Sequence, residues 1–330
     1  MTDRTRSDDR AGVIAGLYAL GTGPWTMVPV TRGALGQIWK LSGDGRSWAV
    51  KELLFGCDEA QVAREAALRD SAADLGIASP RLHPARHGAH VTRVDSPGGG
   101  SWVKLYDWID GAEADPSDPA VLDWFGRTLA LLHRAGEGAV EGPGDWYERC
   151  PDHAAWEDVL KKVRDAGLTW ADELDRFIAT SVPRLGQWVT PSAPGGLVIS
   201  HLDLRPQNVL VGRDGPVLLD WDNAGPVSAE REFARAVHVW CGGNDVDIAS
   251  ARRLARAYRE AGGRAVLTGP ESFSMLFATA LNYVHVQAET AVNPEVTPGQ
   301  RDFGARQAVT CLREVPDLGA VSRLVTALGT

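Results

Sequence analysis

Cysteine is scarce in this chain. Its 330 residues hold four, Cys57, Cys150, Cys241 and Cys311, and no two stand at the close spacing of a zinc or redox pair. A disulfide scaffold and a structural zinc module are therefore excluded, and the four read as buried free thiols. Basic residues are in deficit, 34 Lys plus Arg against 43 Asp plus Glu, a net charge of −9. That balance argues against a dedicated nucleic-acid binder and suits cationic small molecules better. Long apolar runs are missing as well. The longest, Ser274 to Val286, contains Asn282, Tyr283 and His285, and falls short of the roughly 20 residues that a membrane span needs. The first ten residues carry charges of both signs, and the apolar stretch after them is broken by Gly12 and Gly16, so no secretory leader and no membrane partner are expected. Tandem repeats and low-complexity tracts are also lacking. With 44% apolar and 23% charged residues, the composition is that of a globular protein, expected in the cytoplasm.

The chain divides by pattern. Trp25 to Val30, Gln37 to Leu41 and Ser47 to Leu53 read as strands of an antiparallel meander, separated by turns such as Ser42-Gly-Asp-Gly45. Asp58 to Leu75 reads as a helix closed by Gly76. Ala89 to Val94 and Ser101 to Ile109 supply two more strands, and the Gly-, Asp- and Pro-bearing stretch Asp110 to Pro116 marks a boundary. From about residue 118 the periodicity is helical: Asp118–Arg134, Pro151–Ala166, Trp170–Trp188, Ala229–Trp240, Asp247–Ala261, Glu271–Thr290 and a C-terminal pair after Gln300. Only Leu197 to Leu219 interrupts it with strand character. The expectation is an α+β protein with a β-rich domain over residues 1–109 and a larger helical domain over 110–330.

The densest chemical signal lies in that interruption. Val198-Ile-Ser-His-Leu-Asp-Leu-Arg-Pro-Gln-Asn-Val-Leu-Val211 places His201, Asp203 and Asn208 in a polar loop between apolar stretches, and a further apolar run delivers Asp220-Trp-Asp222. Clustering carboxylates and an amide beside apolar strands is costly without cations to offset them. Upstream, Trp48-Ala-Val-Lys51 is a strand ending in lysine, and Glu65 follows in the predicted helix, with Glu59 as its rival.

This set resembles the catalytic loop, metal-binding Asp and strand Lys of the protein-kinase-like superfamily, and more narrowly the aminoglycoside phosphotransferase and choline kinase family. The resemblance implies a protein-kinase-like two-lobed fold and transfer of the γ-phosphate of ATP or GTP, with Mg²⁺, to a hydroxyl of a small molecule. It implies Asp203 as the catalytic residue that takes the hydroxyl proton, Asn208 and Asp220 as metal ligands, and His201 as a structural support of the loop. It further implies Lys51 on the phosphates and paired with Glu65, Gly33 and Gly36 in the phosphate-covering loop, and Asp107, Trp108 and Ile109 at the adenine edge. The first two strands lack the Gly-x-Gly-x-x-Gly pattern of protein kinases, and no long activation segment with Ala-Pro-Glu follows Asp222, so protein substrates are disfavoured. The leading acceptor is a cationic antibiotic such as an aminoglycoside, with Asp222, Glu230 and Glu232 as candidate substrate carboxylates. A metabolite kinase acting on choline, a sugar or an amino alcohol is the alternative. A nucleotide-binding protein without transfer activity is disfavoured by the intact set Lys51, Asp203, Asn208 and Asp220. His83, His87 and His90 have metal-like spacing, but Pro80 and Pro84 break any helix that would align them, so they read as a solvated loop.

Overall fold

The computed structural model describes residues 2–32, 36–54, 56–95 and 100–329. The chain begins with helix α1 (Thr2–Leu17) and strands β1 (Thr26–Arg32), β2 (Gly36–Gly43) and β3 (Arg46–Leu53), followed by α2 (Glu59–Asp74). Strands β4 (Leu82–His83), β5 (Thr92–Val94), β6 (Ser101–Asp107) and β7 (Gly111–Glu113) come next. Helices α3 (Pro119–Ala135), α4 (Asp145–Glu148), α5 (His153–Asp165) and α6 (Ala171–Gly186) lead to β8 (Leu197–Ser200), β9 (Val209–Gly212), β10 (Gly215–Leu218) and β11 (Gly225–Ser228). The chain finishes with α7 (Ala229–Trp240), α8 (Ile248–Glu260), α9 (Ser274–Val292), α10 (Pro298–Arg313) and α11 (Leu318–Leu328).

Two compact units result, one comprising residues up to Ala114 together with Pro206–Ala224, the other Asp115–Arg205 with Gly225–Thr330. This differs from the expected division at residues 109 and 110. The reason is strand pairing: β7 pairs with β9, and β9 with β10, so the segment after Arg205 satisfies its backbone within the first unit.

In the first unit, the main sheet runs β1-β2-β3-β6-β4, with β5 also on β6. Asp44 and Gly45, at φ 50° and 70°, make the two-residue hairpin turn between β2 and β3 that matches the strand twist. The register sets Trp48 opposite Asp107 and Lys51 opposite Lys104. Helix α1, which the hydrophilic start of the sequence conceals, buries Ala11, Ile14 and Ala15, together with Tyr18 just after it, in one core with Trp25 and with Leu41, Trp48 and Val50 of the sheet. The Tyr18 hydroxyl donates to the Val103 carbonyl at 3.0 Å. Asp58 caps α2 by accepting from the Ala60 and Gln61 amides, as Asp does at a helix start.

The second unit is helical apart from the antiparallel pair β8–β11, in which Ser200 faces Gly225. Phe125 of α3 stacks on Trp240 of α7 at 3.9 Å between centroids. All four cysteines are free, but only Cys241 is buried, the other three being half-buried. Among the described residues no helix is long and apolar enough to cross a membrane.

Candidate functional site

The first unit gathers five charged side chains around the end of β3. Lys51 is buried, and its Nζ donates to Asp220 Oδ1 at 2.5 Å and lies 2.7 Å from Asp222 Oδ2. Burial alone would lower the affinity of this amine for its proton, but the two carboxylates outweigh it and hold the ammonium form above its ordinary range. Lys104, directly across the register, is also buried, and its Nζ reaches Glu65 Oε2 at 2.6 Å and Asp222 Oδ1 at 2.5 Å. Glu65 also accepts from the Tyr106 hydroxyl at 2.9 Å and lies 3.7 Å from Arg69. The expected Lys51–Glu65 pair is therefore replaced by a Lys104–Glu65 pair. The physical cause is that α2 offers Glu65 to β6, which carries both Lys104 and Tyr106. Glu59, at the exposed start of α2, is no partner for either lysine.

The turn that carries the two aspartates is held in place by its neighbours. Asp220 adopts a left-handed backbone at φ 58°, a conformation that costs on the order of 1–3 kcal/mol for a residue with a side chain. The Leu219 amide donates to the Asn208 carbonyl at 2.8 Å, so Asn208, buried on its short 3₁₀ turn, is bonded to the residue that precedes Asp220. Gln61 of α2 donates to the carbonyls of Asp222 and Ala224, both at 2.8 Å. Trp221 is buried, its indole N–H on the Leu218 carbonyl at 3.1 Å. The amide of Asn208 and the partly exposed carboxylate of Asp220 are hard oxygen donors, which fits a magnesium-sized cation that keeps part of its water shell.

Gly36 opens β2, where an added Cβ would lie 2.9 Å from the Glu52 carbonyl and 3.3 Å from Lys51 Cε. Gly36→Ala should displace the Lys51 stem, and overpacking of about 1 kcal/mol at this point should lower the Tm by a few degrees. Thermal melts check this. Gly33 lies outside the described residues. At the end of β6, Asp107 accepts from His83 Nε2 at 2.7 Å and from the Arg81 amide at 3.3 Å, while its own amide donates to Arg81. Trp108 donates to Asp110 at 2.7 Å, and Lys40 Nζ sits 4.4 Å from its ring centroid. Ile109 follows, half-buried. His87 meets Thr92 at 3.3 Å, so the three histidines do not converge, and among the described residues no group of three or more His, Cys, Asp or Glu side chains could hold a metal ion.

In the second unit the loop of Leu202 and Asp203 is held by α7. Leu202 sits at φ 65°, with its amide donating to Glu232 Oε1 at 2.8 Å and its carbonyl accepting from Arg235 Nη1 at 3.1 Å. Asp203 follows. Its carboxylate meets Arg205 at 2.8 Å and Arg235 at 3.5 Å, and its amide donates to His201 Nδ1 at 3.3 Å. Burial would raise the Asp203 carboxyl, but Arg235 and Arg205, with His201, hold it below the usual carboxylate range. His201 is fully buried. Arg235 escaped the sequence reading; its signal is its place one helical turn after Glu232 in the segment that follows the polar loop.

One of the candidate acceptor carboxylates is corrected here. Glu232 is 1% exposed and bonds His133 Nε2 at 2.9 Å, whose Nδ1 meets the Tyr258 hydroxyl at 2.9 Å. It anchors the loop from beneath and is closed to an acceptor. Glu230 accepts from Ser272 at 2.5 Å and Thr268 at 3.0 Å, and so holds a turn. Asp222 belongs to the lysine network of the first unit. Asp247 caps α8, Glu289 pairs with Lys162 at 3.2 Å, and Asp245, Glu260 and Asp302 lie exposed.

The pH dependence follows in sign. Burial pushes the Glu232 carboxyl up, but His133 and the bond from the Leu202 amide bring it below its ordinary value. A carboxyl depressed by folding stabilises fully above its unfolded value, about 4.3 for Glu, and loses that contribution as the pH falls through the folded one. The contribution of Glu232 to the Tm should be level above about pH 5 and be lost below about pH 4. Glu232→Gln should lower the Tm at neutral pH and flatten the acid fall. An acid fall as steep as that of wild type in thermal melts would count against this role.

A family model described as "Phosphotransferase enzyme family" matches residues 26–272. The chain is 29% identical over 182 residues to the trifolitoxin immunity protein of Rhizobium leguminosarum bv. trifolii, a match covering 51% of this chain and 62% of that protein. Among solved structures, spectinomycin phosphotransferase bound to ADP and spectinomycin is similar with a TM-score of 0.63 at 14% identity, covering 92% of each chain. Amicoumacin kinase bound to AMP-PNP and Ca²⁺ is similar with a TM-score of 0.58 at 14% identity, covering 94% of this chain and 95% of that one. A choline/ethanolamine kinase family protein from Mesorhizobium loti is similar with a TM-score of 0.55 at 19% identity, covering 98% of each. At these identities the structural likeness is one of fold, and it agrees with the expected kinase-like α+β architecture.

Proposed function

This chain belongs to the phosphotransferase enzyme family, and from that premise we propose that it transfers the γ-phosphoryl group of ATP or GTP to a hydroxyl of a small molecule. The observation that carries the reading is the turn of the first unit, where Asp220 lies on the Lys51 ammonium and Asn208 is bonded to the residue before it. In this reading Lys51 holds the α- and β-phosphates, and the backbone of Trp108 and Ile109 meets the adenine edge. Asn208 and Asp220 hold Mg²⁺, which when bound supplies neutralisation of the phosphate charge. Asp203 orients the acceptor hydroxyl and takes its proton as the new O–Pγ bond forms and the bond from Pγ to the β,γ-bridging oxygen breaks. Its depressed carboxyl keeps it ionised, hence able to accept, at neutral pH.

For the acceptor, the net charge of −9 and the likeness to proteins named for spectinomycin and trifolitoxin support a cationic antibiotic, and with it a role in resistance. A second reading has its own support. Arg205 and Arg235 lie against Asp203, and Glu232 is occupied within the protein. That environment favours a metabolite kinase whose acceptor is neutral or anionic near its hydroxyl. The test is nucleotide consumption with a panel of aminoglycosides, aminocyclitols, amino alcohols, sugars and hydroxy acids, with mass spectrometry reading the added phosphoryl group. A cationic acceptor should show a KM that rises as salt screens the long-range field, whose Debye length is about 8 Å at physiological ionic strength. Nucleotide consumption by no member of the panel would count against transfer.

A further inference from the structure

We propose that Lys104 is a positioning residue for the nucleotide, acting through Asp222 to aim Lys51. The inference rests on the phosphotransferase reading and adds to it a lysine which that reading does not use. Two ammonium groups directly opposite each other on neighbouring strands repel, and burying either one is costly unless it is paired. Here Lys51 and Lys104 are register partners, 8% and 2% exposed. What makes the pair tolerable is a carboxylate placed between them. Asp222 divides its oxygens, Oδ1 to Lys104 at 2.5 Å and Oδ2 to Lys51 at 2.7 Å. The order of contacts is Glu65–Lys104–Asp222–Lys51–Asp220.

The consequence appears when Asp220 turns to other work. If Asp220 serves a cation, Asp222 is the carboxylate that continues to hold Lys51, and the direction of Asp222 is set by Lys104. With its ammonium enclosed, the Lys104 side chain being 3% exposed, it cannot itself meet a phosphate. Without it, Asp222 has one cation left to bind, closes on Lys51 and competes with the phosphates for that lysine. Glu65 meanwhile loses the lysine that ties α2 to β6.

The experiment measures nucleotide affinity by titration with a fluorescent ATP analogue in the absence of acceptor, alongside kcat, both KM values and Tm. Lys104→Met should raise the nucleotide Kd and KM by about tenfold, within the range of couplings between contacting charged groups, and leave the acceptor KM within about twofold. Lys104→Arg, which keeps the charge, should recover most of the loss. Because Lys104 acts through Asp222, the double variant Lys104→Met/Asp222→Asn should bind nucleotide as Asp222→Asn alone does, and this comparison carries the test if Lys104→Met by itself does not fold. A further loss of more than about twofold in the double variant, outside the limits of independent action, would overturn the proposal. So would a Lys104→Met variant that binds nucleotide as tightly as wild type. A wild-type protein that binds no nucleotide would overturn the underlying reading as well.

Discussion

Asp203→Asn is expected to lower turnover about 10³-fold, in the middle of the range for loss of a positioned general base, while the nucleotide Kd stays within about threefold of wild type. Asparagine keeps the size of the side chain and its place between Arg205 and Arg235, but it cannot accept the hydroxyl proton. The loss should fall on kcat and on kcat/KM alike, the sign of an interaction made in the transition state. Two arginines would lose a charged partner, so a modest fall in Tm is expected, and melting curves separate it from the kinetic effect. An alternative in which Asp203 only fastens the loop predicts that Arg235→Gln, which frees the Leu202 carbonyl, would be as damaging as Asp203→Asn. Near-normal turnover in Asp203→Asn would remove the base assignment.

Asp220→Ala is expected to abolish the dependence of nucleotide affinity on magnesium and to lower kcat/KM by about 10³-fold or more. A bound metal is worth several kcal/mol of charge stabilisation in such a reaction, and each 1.36 kcal/mol is about a factor of ten. The variant also removes a carboxylate that occupies Lys51 at 2.5 Å. In chelator, therefore, its nucleotide affinity should equal or exceed that of wild type, whereas added Mg²⁺ should bring no gain. Calorimetric titration with and without Mg²⁺ reads both halves. A variant that still tightens on nucleotide when Mg²⁺ is added would place the metal ligands elsewhere.

The polar loop was readable because its parts are close in the chain. His201, Asp203 and Asn208 lie within eight consecutive residues, and the strands on either side mark themselves by apolar runs, so the loop stands out, while the roles given to its residues rest on the family resemblance. Lys51 stands at the end of a strand whose buried Trp48 and Val50 follow the period of two. Helix α2 is announced by Gly76 at its close, and most helices of the second unit by their periodicity. Helix α1 could also have been found, since Ala11, Ile14, Ala15 and Tyr18 follow helical spacing, but its hydrophilic first turns masked the buried face.

Pairings between distant segments were not readable. The partner of Lys51 depends on how β3 is aligned with β6, some fifty residues later in the chain. A slip of one residue would bring Val103 or Leu105 opposite Lys51 and turn Lys104 to the other face of the sheet. No local pattern fixes that alignment, and with it goes the choice of Glu65 for Lys104 in place of Lys51. Glu230 and Glu232 have the ordinary look of acids in the first turn of a helix, where the helix dipole favours negative charge. Only the arrival of His133, 99 residues earlier in the chain, turns Glu232 into a buried anchor of the loop. The division between units has the same origin, because β7 and β9 satisfy each other's hydrogen bonds across a stretch that composition alone marks as a boundary. Chemistry confined to one loop can be recognised from residue types and spacing, whereas the counter-ion of a buried charge is set by whichever long-range pairing makes its burial affordable.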